Sequence, residues 1–426
     1  MRCNPGEKKQ KNIGFISTRL AGCDGVSLEA AKWAKVFEDE GHQCFYMAGE
    51  LQKIDQNSLL VKEAHFKHPV IQEIYCECFG CSARKPSITR KIHQMRDKLK
   101  KHIYQFIKGF RIDILVVENA LTIPLNIPLG LAITEVIAET EIPTIAHHHD
   151  FFWERKRFLT NAVWDYLNMA FPPHLPSIQH VVLNSSQDNQ LSLRTGISAT
   201  IIPNVMDFDN PPSIDEYSSD VRNSLGLEDD EVLILQPTRV VKRKGIELSI
   251  ELVKRLGMKA KLVISHASGD EGYEYEKRVR EYSSLMGVDT LFISDIIKPY
   301  RGKTSDGRKI YTPADIYHHA DLVTYPSNFE GFGNAFLEAI YFRKPVVVNN
   351  YSVYTIDIKP KGFKVIELDD CVDSRAVEFT RKVLEDPVLA NQMVNHNYEL
   401  GKRYYSCSVL RQKLKILLSN CFGMEA

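Results

Sequence analysis

Residues 325–339 read Tyr-Pro-Ser-Asn-Phe-Glu-Gly-Phe-Gly-Asn-Ala-Phe-Leu-Glu-Ala, an apolar strand end, a glycine-rich turn and a helical start near Gly333. The amides of a helix's first turn have no intrahelical partner, so with two small glycines before them they can cradle a diphosphate. Glu330 lies in that turn and Glu338 further along the helix. An ordinary tight turn with a solvated Glu338 has the same local pattern. A second run, Gln236-Pro-Thr-Arg-Val-Val-Lys-Arg-Lys-Gly245, follows an apolar strand and supplies Arg239, Lys242, Arg243 and Lys244. Cations at a helix start usually form a solvated face, and they oppose the helix dipole. An anion held by amides and cations together resolves that opposition, and a departing diphosphate gains charge that such cations stabilise.

His147, His148, His149 and Asp150 close the apolar run Pro143–Ala146. Three adjacent histidines suggest zinc, but neighbours along a strand point to opposite faces and cannot all converge. Beyond them, Trp153, Glu154, Arg155 and Arg157 follow Asp150 with an aromatic ring and charged groups, Trp153 being either a ligand-stacking ring or a core residue. Cys76, Cys78 and Cys81 lie near His65 and His68, but a second Cys-x-x-Cys pair is missing. No metal is expected at either cluster. Asp24 and Gly25 follow the first strand where a dinucleotide site would need Gly-x-Gly-x-x-Gly, which argues against an NAD-linked oxidoreductase.

These residues sit at the ends of short apolar runs that alternate with helical periodicity. In the first half, strands are expected at Asn12–Ser17, Gln43–Met47, Asp113–Val117, Pro143–Ala146, His180–Leu183 and Thr200–Ile202, with a helix over Val26–Glu40. The second half repeats the pattern, with strands at Glu231–Gln236, Lys261–Ser265, Thr290–Ile293, Asp321–Tyr325, Pro345–Val348 and Phe363–Glu367. A helix is expected over Val240–Leu256, and residues 373–419 read as largely helical. Alternation of this kind builds a mostly parallel sheet with helices on both faces. The expected organisation is α/β, with an N-terminal domain over 1–205 and a proline-rich linker over 206–216. A C-terminal domain over 217–402 follows, and a terminal stretch over 403–426 returns to the first domain. Two doubly wound, Rossmann-like domains facing each other would leave a cleft at their strand ends.

Composition narrows the class further. The 426 residues carry 54 basic and 54 acidic side chains, which argues against a dedicated nucleic-acid binder. No run is long and apolar enough for a transmembrane helix or a signal peptide. Nine scattered cysteines favour a reducing, cytoplasmic setting. Between residues 84 and 111 ten basic residues face one acid, around an apolar stripe of Ile88, Ile92, Met95, Leu99, Ile103 and Phe106. Such a helix fits peripheral contact with an anionic membrane, steering of a phosphorylated acceptor, or core packing beneath a charged outer face. Lys298–Lys309 reads as an insertion that is either a lid or an exposed loop.

The Glu330-x7-Glu338 spacing inside Glu-Gly-Phe-Gly-Asn-Ala-Phe-Leu-Glu-Ala resembles the paired-glutamate motif of the retaining GT-B glycosyltransferases of family GT4, the group of sucrose-phosphate synthases and many mannosyl- and glucosyltransferases. Arg239 and Lys244 match that family's diphosphate-neutralising pair, and His149 its strand-end histidine. The resemblance covers both halves. It implies a GT-B fold and transfer of glucose or mannose, with retained configuration, from a nucleotide-diphosphate sugar to a hydroxyl acceptor such as a small sugar, sugar phosphate or glycoside. The donor would be a UDP, GDP or ADP sugar, and no cofactor or metal is implied. By the same resemblance Glu330 sits beside the donor sugar and Glu338 holds ribose hydroxyls. The backbone of Gly331, Phe332, Gly333 and Asn334 takes sugar and diphosphate, and His149 bonds the transferred sugar. Asp24 and Gly25 stand where the family has adjacent glycines, on the acceptor side with Asp150 and Trp153. Asp207-Phe208-Asp209 is a literal Asp-x-Asp, the metal motif of another glycosyltransferase fold. Here it falls in the family's interdomain segment and is read as unrelated to metal. Arg343-Lys344-Pro345 departs from the glycine that relatives carry before the proline. Other GT-B enzymes, a phosphorylase or a sugar-nucleotide epimerase, and a non-catalytic sugar-nucleotide-binding protein are the competing readings.

Overall fold

The computed structural model describes residues 10–22, 24–268 and 272–423. The polar N-terminal run before residue 10 therefore lies outside the described residues. Strands β1 (Asn12–Ser17), β2 (Gln43–Ala48), β3 (Ser58–Leu60), β4 (Ile114–Glu118), β5 (Thr144–His148), β6 (Ile178–Val182) and β7 (Ala199–Ile201) form one sheet. Its order is β3-β2-β1-β4-β5-β6-β7, and every neighbouring pair is parallel. Next along the chain come β8 (Val232–Gln236), β9 (Ala260–Ile264) and β10 (Thr290–Phe292), then a small antiparallel hairpin of β11 (Gly302–Lys303) and β12 (Lys309–Ile310). Strands β13 (Leu322–Tyr325), β14 (Val346–Asn349) and β15 (Ile366–Leu368) complete a second parallel sheet, in the order β10-β9-β8-β13-β14-β15.

The chain divides into two units, one up to Asn204 together with the stretch from Cys407, the other Val205–Ser406. The terminal helix Cys407–Phe422 packs on the helix Gly25–Asp39 of the first unit. Arg411 and Lys415 reach Glu40 at 3.0 and 2.9 Å, and Gln179 donates to the Leu417 carbonyl at 2.8 Å. The break at Ser406, between this helix and Pro387–Tyr405, marks the second crossing.

Strand order reverses between β1 and β4 in one sheet and between β8 and β13 in the other. At such switch points the connections leave in opposite directions and open a crevice at the carboxyl strand ends. On one side of each switch point β4 and β13, with their neighbours β5 and β14, are buried at every residue, as strands covered on both faces must be. Short β3 carries too few half-buried residues to show any period, and it was not expected from the sequence.

The basic segment folds as the helix Pro86–Phe110, with Ile88, Ile92, Leu99, Ile103 and Phe106 buried in the core. Its charge is largely cancelled by acids from other elements. Arg84 pairs with Asp165, Lys85 with Glu77, Lys91 with Glu73, Arg96 with Glu135, Lys98 with Glu63, and Lys100 with Glu135 and Glu139. Core packing beneath a charged face is the arrangement found. No helix among the described residues is long and apolar enough to cross a membrane. The segment 298–309 is clamped and not a loose lid: Arg301 bridges Asp215 and Asp315, both at 2.5 Å, and Lys309 reaches Asp220 at 2.8 Å.

Burial and ion pairing make unequal contributions along this helix. Ile103→Ala, fully buried, is expected to cost about 2–5 kcal/mol, whereas the surface pair of Lys98 contributes about 1 kcal/mol or less. Chemical denaturation of Ile103→Ala and Lys98→Ala checks this; equal losses would contradict it.

Candidate active site

In the second unit β8 ends at Gln236 and β13 at Tyr325, on adjacent strands at the switch point, so the segments that follow them run side by side. The expected helix from Val240 does not form as one piece. A short 3-10 turn over Lys242–Lys244 is followed by Gly245 in the left-handed region at φ +59°, and the helix starts at Ile246. A Cβ at Gly245 would stand 2.3 Å from the Pro326 carbonyl oxygen, so this loop lies tight against the β13 segment and only glycine fits. The basic residues consequently sit in a loop just before the helix and not in its first turn.

The two segments are stitched together. Asn328 N–H donates to the Arg243 carbonyl at 2.9 Å, and Arg243 Nη1 donates to the Phe329 carbonyl at 3.2 Å and to Glu330 Oε2 at 3.0 Å. Lys244 Nζ pairs with Glu330 Oε1, and both residues are 8% exposed. Burial pushes against the Glu330 charge, but Lys244 and Arg243 overcome it and hold the carboxyl below its ordinary value. Burial also pulls the Lys244 ammonium down, against the support of Glu330. Arg239 is exposed and carries no ion pair among the described residues. Arg243, which is not part of the family-matched pair of Arg239 and Lys244, is thus a direct partner of Glu330.

The glycine turn is equally constrained. Gly333 has φ +126°, and a Cβ there would meet the Tyr351 hydroxyl at 2.3 Å. That hydroxyl donates to the Phe332 carbonyl at 2.9 Å. The Phe332 ring is buried edge-on to Tyr405, so its side chain belongs to the core. The helix Asn334–Tyr341 then places Glu338 to accept from the buried Tyr317 hydroxyl at 2.8 Å. Glu338 is therefore held, not merely solvated. Tyr317 gave no sequence signal, because it arrives from a separate helix, Pro313–His319.

In the first unit parallel register sets Glu118 of β4 beside His147 of β5. The strand runs on through His148, so His147 and His148 point to opposite faces. His147 stacks on Trp33 at 4.2 Å, whereas His148 Nε2 lies 2.9 Å from His180 Nδ1. His149, two residues beyond His147, returns to the first face. Its Nε2 lies 3.2 Å from Glu118 Oε2, and His147 Nδ1 lies 3.0 Å from the same oxygen. The alternation that separates three neighbours thus brings two of them together with a third group. Glu118 was missed, although a lone carboxylate ending an apolar strand was visible in the sequence.

Around this cluster, Asp150 accepts from Asn119 Nδ2 at 3.2 Å and pairs with Arg155. Trp153 stacks on Phe151 at 4.4 Å and donates to Gln190 at 3.0 Å, the packed arrangement of a core-edge residue. Asp24 caps the helix Gly25–Asp39 by accepting from Ser27 N–H at 3.2 Å, and pairs with Arg19 at 2.9 Å. Cys76 is exposed while Cys78 is buried on the same helix, and burial pushes the Cys78 thiol up to about 12. Of the Asp-x-Asp segment, Asp209 pairs with Lys402 at 2.7 Å, and Phe208 is buried edge-on to Tyr341 and Tyr398. Arg343, at the departure from glycine, adopts the left-handed region at φ 52°, with its guanidinium over the Tyr398 ring.

The family description "Glycosyl transferases group 1" matches residues 308–400. The mannosylglucosylglycerate synthase of Thermotoga maritima is 35% identical over 94% of this chain and 98% of its own length. That of Petrotoga mobilis is 28% identical over 94% and 99%. Among solved structures, sucrose-phosphate synthase of Thermosynechococcus elongatus aligns at TM-score 0.67 and 14% identity, over 97% of this chain and 99% of that one. HepE of Anabaena, solved with UDP and glucose, aligns at 0.65 and 14%, over 96% and 100%. The chain belongs to the glycosyl transferases group 1 family. It is a glycosyltransferase with the GT-B fold.

The two matched cations differ sharply in their surroundings. Lys244→Ala strands a buried Glu330 charge, with an expected loss of about 3 kcal/mol or more; Arg239→Ala removes an exposed group and should change stability by about 0.5 kcal/mol or less. Denaturation of the ligand-free variants checks this, and a large loss from Arg239→Ala would contradict it.

Proposed function

We propose that the enzyme moves a mannosyl group, with retained anomeric configuration, from a nucleotide-diphosphate sugar to a hydroxyl of a glucosylglycerate-type acceptor. The observation that carries the donor half is the gathering of Lys244, Arg243 and Glu330, with Arg239 nearby, beside a glycine turn and helix start at the carboxyl ends of β8 and β13. The near-full-length likeness to two mannosylglucosylglycerate synthases supports the choice of sugar and acceptor.

In this reading Arg239 and Lys244 neutralise the diphosphate as the bond from C1 to the phosphate oxygen breaks, and Arg243 assists them. The turn from Gly331 through Phe332 and Gly333 to Asn334 offers its backbone to sugar and diphosphate. Glu338, oriented by Tyr317, takes the ribose hydroxyls. The incoming diphosphate competes with Glu330 for Lys244 and Arg243, and the displaced carboxylate is then available to the donor sugar. His149 bonds the transferred sugar, while Asp24, Gly25, Asp150 and the neighbourhood of Trp153 serve the acceptor. The acceptor oxygen attacks C1 from the side of the leaving group, the new C–O bond forms, and the acceptor proton passes to a phosphate oxygen. No carboxylate acts as a covalent nucleophile, unlike in retaining glycosidases. Asp207 and Asp209 hold no donor metal, since cations and helix dipole supply the counter-charge.

Turnover with GDP-, UDP- and ADP-hexoses and glucosylglycerate tests the reading. Arg239→Ala and Lys244→Ala should each lower kcat by roughly 10²-fold, about 3 kcal/mol of transition-state stabilisation. Glu338→Ala should act chiefly on nucleotide affinity, because ribose contacts are equal in ground and transition states. Near-normal kcat in both cation variants would overturn the donor site. A product whose new linkage is inverted, read by NMR, would overturn retention.

Asp207→Asn and Asp209→Asn should each leave kcat within about 3-fold of the parent enzyme, because no counter-charge is asked of them. A loss comparable to that of Arg239→Ala, rescued by Mn²⁺ or Mg²⁺, would contradict this.

A further inference from the structure

We propose that Glu118, His147 and His149 form a binding site for one divalent transition-metal ion of the zinc class. This goes beyond the donor reading above and shares one residue with it, His149, which faces Glu118 through Nε2. The ligand atoms of the three residues all lie within 4.8 Å of one another, which brings them within reach of a single ion. A tetrahedral ion with ligands at about 2.0–2.1 Å separates its ligand atoms by about 3.3 Å, and Glu118 Oε2 stands 3.0 and 3.2 Å from His147 Nδ1 and His149 Nε2. Two imidazoles and one carboxylate are borderline ligands of the type that zinc and its neighbours select, and three protein ligands leave a coordination position open.

The second observation is an imbalance in the buried hydrogen bonding. Glu118 and His147 are fully buried, yet Glu118 Oε1 and His147 Nε2 have no hydrogen-bond partner, while His147 Nδ1 faces Glu118 Oε2. Buried polar atoms are nearly always satisfied, so the orphaned Oε1 of a fully buried carboxylate calls for a partner. A cation between the carboxylate and the imidazoles supplies one. The ligands are also held in place: Trp33 stacks on the His147 ring, and Asn119 Oδ1 accepts the His149 backbone N–H at 3.1 Å. His148 takes no part, being turned to His180 on the other face of the strand. Expected absence of metal from the triple histidine rested on neighbours diverging. That argument holds for His148 and fails for the pair two residues apart, once β4 adds Glu118.

The test uses the full-length protein stripped with a chelator and titrated with Co²⁺, read by its visible absorption, with Zn²⁺ as competitor. One equivalent of Co²⁺ should bind saturably, be displaced by Zn²⁺, and raise Tm. Glu118→Gln and His149→Gln should each weaken binding by roughly 10-fold or more, while His396→Gln, an exposed histidine bonded only to the Gly362 carbonyl, should leave it unchanged. His149 is partly exposed, so its variant tests the site even if Glu118→Gln fails to fold. Absence of saturable binding to the folded parent protein, or equal affinity in the folded His149→Gln and His396→Gln variants, would overturn the proposal.

Discussion

The second unit is organised around one buried ion pair. Lys244 and Glu330 come from loops that follow different strands, and each is almost fully withdrawn from water. Removing two charges from solvent is costly, and their mutual attraction repays that only with close geometry and additional hydrogen bonds. Close geometry is enforced at two glycines. Gly245 lets its loop touch the Pro326 carbonyl, and Gly333 lets the turn pass beneath the Tyr351 hydroxyl. Arg243 closes the arrangement by bonding both the Phe329 carbonyl and Glu330. Lys244 and Arg243 are thus held in place by a carboxylate, the position from which the proposed function has a diphosphate take them over.

The parallel sheets make that arrangement available. Parallel strands send all their carboxyl ends to one edge, and reversal of strand order keeps the loops of β8 and β13 adjacent without a helix between them. The same principle works in the first unit, where β4 and β5 deliver Glu118, His147 and His149 to one face of one edge. Each unit thus gathers its candidate residues at the carboxyl ends of its central strands.

Much of this was legible in the chain. Runs such as Val346–Asn349 announce a buried strand by composition alone, and the spacings of Glu330 with Glu338 and Arg239 with Lys244 pointed to a sugar-nucleotide site through their family likeness. What escaped the sequence depended on partners distant along the chain. The break at Gly245 is set by a carbonyl after β13, not by local propensity, so the helix was expected to start too early. The surplus charge of the helix Pro86–Phe110 left membrane contact, acceptor steering and core packing open together, because the acids that cancel it, Glu63, Glu73 and Glu135 among them, lie outside the segment. Glu118 joins His147 only through strand register, which no local window contains.

The central claim is that a nucleotide diphosphate displaces Glu330 and takes over its cations. The most direct measurement is a crystal structure of the protein with a bound nucleoside diphosphate. The account predicts Lys244 Nζ and the Arg239 guanidinium within hydrogen-bond distance of diphosphate oxygens, the glycine turn beneath them, and Glu330 no longer paired with Lys244. A diphosphate bound elsewhere, with the Lys244–Glu330 pair intact, would contradict it.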